Sequence, residues 1–175
     1  MSGYDVIKKT IDEHSELMTF LGQRNELSLL TTVESTLPKV ILLSAASDLE
    51  SRVQGLIVKF FDQTTTSHEF AVSFVKNKAI NRQFHTYFDW KGRSANPFFG
   101  LFGQKFKERI AAEYVADPLL KPAVTDFCEI GAKRNELVHS NYATYTLNMT
   151  ASEVFAMYER ALYFIERMPL LLQDS

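Results

Sequence analysis

Apolar side chains return at every third or fourth position along most of the chain, the spacing that places them on one face of an α-helix. The first such stretch predicts a helix from about Tyr4 to Val33, with Gly22 as the candidate break. The second predicts a helix that opens at Pro38, a residue suited to a first helical turn, and ends at the threonine cluster 64–66. Its apolar stripe consists of Leu42, Ala46, Leu49, Val53, Leu56, Ile57 and Phe60.

The middle of the chain combines helix signals with one loop. Thr66 and Glu69 have the spacing of a capping box, in which two side chains satisfy the free N–H groups at a helix start. Residues 81–97 are irregular and contain DWKGRSANP, a loop signal. The stretch PFFGLFGQKFKERIAAEY then predicts a helix over residues 97–114, although two glycines weaken its start.

Two further helices are predicted in the last third of the chain. One opens at Asp117-Pro118 and runs towards His139, and the other follows a second capping box formed by Thr150 and Glu153. Pro169 ends or kinks this last helix. Long helices joined by short links pack as antiparallel neighbours, so we expect an all-α antiparallel bundle of about five to seven helices. The length fits a single domain over residues 1–175.

Composition narrows the class of protein. The scarcity of glycine (7) and proline (5) argues against a turn-rich β-sandwich. A lone cysteine, Cys128, excludes an internal disulfide framework and a multi-cysteine zinc site, and it favours a reducing compartment. The N-terminal MSGYDVIKK lacks the apolar region of a signal peptide, and we expect no run of ~18 apolar residues that spans a bilayer. These features predict a cytoplasmic protein without a membrane partner.

The charged residues behind the net charge of −2 are unevenly distributed along the chain. Residues 76–109 hold eight basic and two acidic side chains, a charge of +6, whereas the remainder carries −8. The same segment contains several aromatic residues, including Phe84 and Trp90. Because basic groups bind phosphates and exposed rings stack on bases, the segment is a candidate RNA-binding surface. The alternative is a solvated charged face whose aromatic residues pack inward. The candidate RNA contacts are Lys76, Lys78, Arg82, Arg93, Lys105 and Lys107.

One stretch, KRNELVHSN over residues 133–141, carries candidate chemistry. The sequence contains no Gly-rich phosphate loop, HExxH, paired CxxC or GxSxG, and His14, His68 and His85 lack ligand-like neighbours. The imidazole of His139 can exchange a proton near neutral pH, and the guanidinium of Arg134 can bind phosphate oxygens. With the Asn135 amide they fit RNA cleavage without a metal or cofactor, through a 2′,3′-cyclic phosphate. The alternative is an ordinary helix end, at which His139 caps carbonyl groups.

The spacing of the pair suggests a dimer. Five residues turn a helix by about 140° away from alignment, so Arg134 and His139 do not share a face. A single histidine would also have to act as both base and acid. A two-fold homodimer places two histidines and two arginines around one cleft, which solves both problems. The earlier RNEL at residues 24–27 repeats the RNEL of residues 134–137 but is too short to define a repeat.

Two stretches resemble a known family. AKRNELVHSN, residues 132–141, resembles the signature of the HEPN superfamily: an arginine, a polar residue and then a histidine after four to six intervening residues in all. LLSAASDLESRVQGLIVKFF, Leu42–Phe61, resembles the early helix of its RiboL-PSP-type branch. The resemblance implies a dimerising helical bundle, in many members a metal-independent ribonuclease of toxin–antitoxin, abortive-infection, restriction or CRISPR-linked defence. Arg134, Asn135 and His139 carry over as site residues.

Glu50 carries over as an acidic residue near the cleft that orients the arginine or histidine; the alternative is a carboxylate at the edge of the core that forms a salt bridge. The first hypothesis is therefore a homodimeric endoribonuclease of a bacterial defence or toxin system, with RNA and an antitoxin or other defence protein as partners. The second is a non-catalytic module that binds RNA through the basic segment or a protein through an apolar face. The third is a structural bundle in which RNELVH is coincidental.

Overall fold

Helices occupy most of the chain, as the apolar spacing predicts. The computed structural model describes residues 2–64 and 69–173, and this part contains no β-strand, only an isolated bridge between Asp89 and Ser94. The all-α prediction is therefore confirmed. The helices are α1 (Gly3–Gln23), α2 (Leu27–Thr64), α3 (Glu69–Val75) with a π-helical turn (Lys76–Ile80) after it, α4 (Phe84–Tyr87), α5 (Asn96–Gly100), α6 (Gln104–Ala116), α7 (Leu120–His139) and α8 (Ala151–Leu171).

The first two helices form a hairpin that turns at an asparagine. Asn25 has a φ of 56°, a left-handed conformation that asparagine adopts more readily than most residues. The predicted helix from Tyr4 to Val33 is thus two helices, and the break falls at Asn25 rather than at Gly22. The start of α1 lies beside the middle of α2, where Gly3 meets the side chain of Asp48.

Pro38 lies inside α2, whereas the sequence predicts it in a first helical turn. Proline removes one backbone hydrogen bond from a helix and normally kinks or ends it. Here Leu37, Pro38 and Ile41 are all buried against the rest of the bundle. We attribute the continuation of the helix to this burial, because packing of an apolar face commonly outweighs local propensity.

Capping side chains and glycines locate the helix ends better than the long apolar pattern does. The predicted capping box at α8 is present: Thr150 N–H donates to Glu153 Oε2 at 2.7 Å, and Glu153 N–H donates to Thr150 Oγ1 at 3.2 Å. Thr66, the first residue of the other predicted box, lies outside the described residues. The helix predicted over residues 97–114 is split into α5 and α6, since Gly103 has a φ of 92°.

α7 and α8 pack side by side in opposite directions. Asp117, just before α7, accepts a hydrogen bond of 2.7 Å from the Tyr163 hydroxyl on α8. Further along α7, Asp126 accepts a bond of 2.5 Å from Nε of Arg160, which precedes Tyr163 on α8. The order of these contacts reverses between the two helices, as expected for antiparallel neighbours.

α2 completes the core against α8. Tyr158 of α8 is fully buried, and its hydroxyl donates to Asp48 at 2.5 Å. The same Asp48 oxygen accepts a hydrogen bond of 2.5 Å from Nε of Arg52. The buried hydroxyl of Tyr158 therefore has a hydrogen-bond partner, as a buried polar group requires. On α7, Cys128 is 1% exposed, and burial raises the pKa of its thiol to about 12.

α2 also has the length and composition of a membrane-crossing helix. The sequence pattern predicts no such helix. A window of 18 residues in Leu27–Thr64 has a mean hydropathy of 1.3 and few charges. Of that window 33% is buried, and a helix at the centre of a bundle meets the same criteria of length and composition. In this chain α2 contacts α1, α7 and α8.

We expect stability to fall in acid partly through Asp117. The Tyr163 hydrogen bond, the Leu119 N–H and the nearby Arg167 hold the pKa of this carboxyl below its ordinary value of 3.8. The unfolded chain therefore binds the proton more tightly, so the stabilisation is present above that value and is lost as the pH falls below it, through the lowered pKa of the folded protein. In urea titrations, Asp117→Asn should be less stable than wild type at neutral pH, and the difference should shrink in acid.

The matched control for this prediction is Asp12→Asn on α1, where the carboxylate is exposed and makes no hydrogen bond within the described residues. Its difference from wild type should be small at every pH. A stability difference for Asp117→Asn that stays constant from neutral pH down to ~3 would contradict the assignment.

Candidate functional site

A cavity between α2, α7 and the segment around residues 82–90 gathers several of the predicted site residues. Its volume is about 290 Å³, and its wall includes Glu50 of α2 together with Arg134 and Asn135 of α7. Glu50 and the RNELVH motif lie far apart in the sequence. The contact of α2 with α7 brings them to one surface.

Arg134 and Asn135 are linked to each other. Arg134 Nη1–H donates to Asn135 Oδ1 at 3.0 Å, and both side chains are half-buried. Arg134 makes no ion pair within the described part of the chain, so its charge is not neutralised by a carboxylate there. Glu50 Oε1 accepts a hydrogen bond of 3.2 Å from Gln54 Nε2. Glu50 thus shares the cavity with Arg134, and the structure shows no direct bond between the two.

His139 lies apart from this cavity. It is the last residue of α7 and is exposed, so its imidazole stands at a free helix end. α7 ends at His139. The cavity wall contains Arg134 and Asn135 but not His139.

The segment after His139 is held down by a buried lysine. Lys39 of α2 is 8% exposed, and its Nζ donates to the carbonyl oxygen of Tyr142 at 3.0 Å. The same ammonium lies 5.0 Å from the centre of the Tyr142 ring, a cation–π contact. Lys39 therefore fixes where the chain goes after α7 and, with it, the surroundings of His139.

The aromatic residues of the basic segment divide between the two predicted roles. Tyr87 and Phe88 are buried in the core, as the packing alternative expects. Phe84 and Trp90 are half-buried and line the cavity. His85 also lines it, although this histidine has no ligand-like neighbours in the sequence.

The predicted RNA-binding cations lie on several elements of the fold. Arg82 lines the cavity. Arg93 is bound by two carboxylates of α7, with Nε 2.7 Å from Glu129 and Nη2 3.4 Å from Glu136. The remaining candidates are exposed and lie on two elements, Lys76 and Lys78 on the π-helical turn and Lys105 and Lys107 on α6.

Gly131 is a site residue that sequence reasoning missed. A methyl group at this position would overlap the six-membered ring of Trp90, so the ring rests directly on the backbone of α7. Both residues line the cavity. The signal in the sequence was a glycine inside a helical pattern, which often marks a close approach. The partner that approaches could not be identified without the fold.

Comparison with known proteins gives a family but no individual relative. The chain matches the family model described as RiboL-PSP-HEPN over residues 5–174. No curated protein and no solved structure matches it. The matched range includes both α2 and α7, the two helices that carry Glu50, Arg134, Asn135 and His139.

Proposed function

The chain belongs to the RiboL-PSP-HEPN family, and from this premise we propose that it is a metal-independent endoribonuclease that acts as a homodimer. HEPN domains are often ribonucleases. The observation that carries the proposal is the arrangement on α7: Arg134 and Asn135 line a cavity, and His139 ends the same helix with its imidazole exposed.

The three side chains have distinct roles in the proposed reaction. His139 removes the proton from a ribose 2′-hydroxyl, and the resulting oxygen attacks the adjacent phosphorus. Arg134 binds the phosphate oxygens and stabilises the charge that develops on them. Asn135 positions Arg134 through the bond of 3.0 Å. The 5′-oxygen leaves with a proton from the His139 imidazole of the second subunit. The products are a 2′,3′-cyclic phosphate and a 5′-hydroxyl.

The charge environment of Arg134 supports a phosphate-binding role. A guanidinium that is already paired with carboxylates, as Arg93 is with Glu129 and Glu136, has fewer donors for a ligand. Arg134 has only the neutral amide of Asn135 as a hydrogen-bond partner among the described residues. Its charge and most of its five N–H donors therefore remain for an anion.

The surface around His139 favours a second copy as the neighbour. Val138 and Tyr142 flank His139 along the chain and are each 45% exposed. Val40 follows Lys39, which contacts Tyr142, and is 38% exposed. Exposed apolar side chains are common at protein interfaces. A two-fold contact on this surface would bring the two His139 side chains near each other.

We extend the proposal to a toxin or defence role in a bacterial cytoplasm. A ribonuclease that cleaves cellular RNA harms its own cell, so such an enzyme needs an inhibitor, and an antitoxin protein is the kind of partner that fits. The measurable sign is growth arrest on expression of the wild-type chain that is absent with His139→Ala.

Cleavage in the presence of a chelator tests the proposed function. The purified protein should cut single-stranded RNA in EDTA at the same rate as in Mg²⁺, because no step uses a metal. The 3′ ends should carry a 2′,3′-cyclic phosphate, detected by mass spectrometry. An RNA with 2′-deoxyribose at the cut position should stay intact, since it lacks the attacking oxygen.

Loss of cleavage in EDTA would reject the mechanism. RNA binding without any cleavage would favour the non-catalytic module. In that case the charge-reversed variant Lys105→Glu/Lys107→Glu should bind RNA more weakly and with a shallower dependence on salt, whereas His139→Ala should bind like wild type. The two lysines are suited to this comparison because both are exposed on α6 and form no ion pair within the described ranges.

A further inference from the structure

The cavity beside Arg134 has the size and the lining of a site for one flat ring. At about 290 Å³ it lies at the lower end of the range for small-molecule sites. Its floor is apolar and includes Phe127 and Ile130, and its rim carries Glu50, Arg82 and Asn135. Such a mixture of an apolar floor with a few convergent polar groups is typical of ligand sites.

Trp90 gives this cavity a fixed aromatic wall. Its ring lies 4.9 Å from the ring of Phe88 and 5.6 Å from that of Phe84, measured between centroids. Its Nε1–H donates to the His85 carbonyl oxygen at 3.0 Å, and its ring rests on Gly131. The ring is thus held in place before any ligand arrives, which lowers the entropy lost on stacking.

The polar groups of the cavity have free donors and acceptors. Glu50 Oε2 and Asn135 Nδ2 make no hydrogen bond within residues 2–64 and 69–173. Arg82 forms neither a hydrogen bond nor an ion pair in that same part of the chain. The cavity therefore offers a carboxylate acceptor, an amide donor and two arginines, a set that suits a base attached to a phosphate.

We propose that this cavity binds an unstacked guanine base of the RNA, next to the phosphate that Arg134 holds. Guanine alone among the four bases presents an imino and an amino N–H side by side on its Watson–Crick edge, and a carboxylate accepts both. The Glu50 carboxylate binds this edge, Asn135 Nδ2 donates to O6, and Trp90 stacks on the ring. The inference rests on the proposed function for its RNA context, but base binding itself requires no cleavage.

Trp90 also provides the measurement, since it is the only tryptophan in the chain. We expect guanosine 5′-monophosphate to quench its fluorescence and to bind at least about tenfold more tightly than the adenosine, cytidine or uridine monophosphates. The titration is done with the intact protein and again with His139→Ala, which should bind equally well. A chain that selects guanine but cuts no RNA would leave the inference standing and reject only the proposed ribonuclease.

Glu50→Gln should reduce the preference for guanine about tenfold or more, because an amide presents only one acceptor oxygen. The control is Asp62→Asn, which removes the same charge from an exposed position on the same helix and should keep the preference. Thermal melting of both variants establishes that they fold. Equal binding of all four nucleotides, no change in fluorescence with any of them, or an unchanged preference in Glu50→Gln would each overturn the proposal.

Discussion

Two variants that are each inactive, Arg134→Ala and His139→Ala, are expected to recover RNA cleavage when they are mixed and allowed to exchange subunits. Alone, the histidine variant should lose ~10²–10⁴-fold in rate through the missing proton transfer. The arginine variant should lose ~10²–10³-fold through the missing charge stabilisation. In the mixed dimer, one subunit supplies an intact Arg134 and the other an intact His139, so one cleft regains one residue of each kind.

The expected recovery is partial but large compared with either variant. Equal amounts of the two variants give about half mixed dimers, and each mixed dimer still lacks one arginine and one histidine of the symmetric cleft. The measurement is the initial rate of RNA cleavage before and after exchange, with native mass spectrometry to count mixed dimers. His14→Ala is the matched control, because His14 lies on α1 with Nδ1 2.7 Å from the Thr10 carbonyl oxygen and should retain activity.

Mixed dimers without recovery would reject a cleft that works with one Arg134 and one His139 from opposite subunits. A protein that stays monomeric at every concentration at which it cleaves RNA would reject the dimer altogether. The first outcome tests which residues one cleft needs, and the second tests whether a dimer is needed at all.

Gly131→Ala is expected to destabilise the fold by about 1–3 kcal/mol, the usual range for overpacking a filled core. The added methyl group overlaps the Trp90 ring, and this ring is confined by Phe84 and Phe88. Relief requires Trp90 to move, so its fluorescence maximum should shift as well. Urea denaturation measures the free energy of unfolding, and the emission spectrum of the native state reports the ring.

Gly55→Ala is the matched control on α2. Nothing lies within 4 Å of a Cβ at Gly55, so the methyl group projects into open space in the middle of a helix. There alanine should stabilise the fold by about 0.5–1 kcal/mol, because glycine loses more backbone entropy on folding. If Gly131→Ala also stabilises the protein, Trp90 does not lie as close to the backbone of α7 as described.

The two copies of RNEL show what local sequence does and does not determine. At residues 24–27 the first three residues form the turn between α1 and α2 and Leu27 begins α2, whereas at residues 134–137 all four lie inside α7. Leu27 is 66% exposed, whereas Leu137 is fully buried. The helical spacing predicts that helices exist, but burial decides where they end, as with Pro38 inside α2. Boundaries therefore depend on contacts between segments that are distant in the chain.

The candidate site likewise contains some residues that the sequence predicts and others that only the fold brings in. Arg134 and Asn135 are predicted from their residue types and spacing, and Glu50 only from the resemblance of its stretch to a known family. The fold brings all three to one cavity. His85, Trp90 and Gly131 join that cavity only through the path of the irregular segment 81–97 across α7. No periodic pattern describes such a path, because its course depends on ring packing and on the space left by one glycine.

The burial of Cys128 makes its thiol a probe of how often α7 opens. The thiol is neutral at physiological pH and has almost no contact with solvent, so an alkylating reagent cannot react while the helix is packed. Cys128 lies about one turn before Gly131 and directly follows Phe127, which lines the cavity. With excess reagent, the rate of labelling in the unmodified protein therefore measures the frequency of transient separation of α7 from its neighbours, and a ligand in the cavity should slow it.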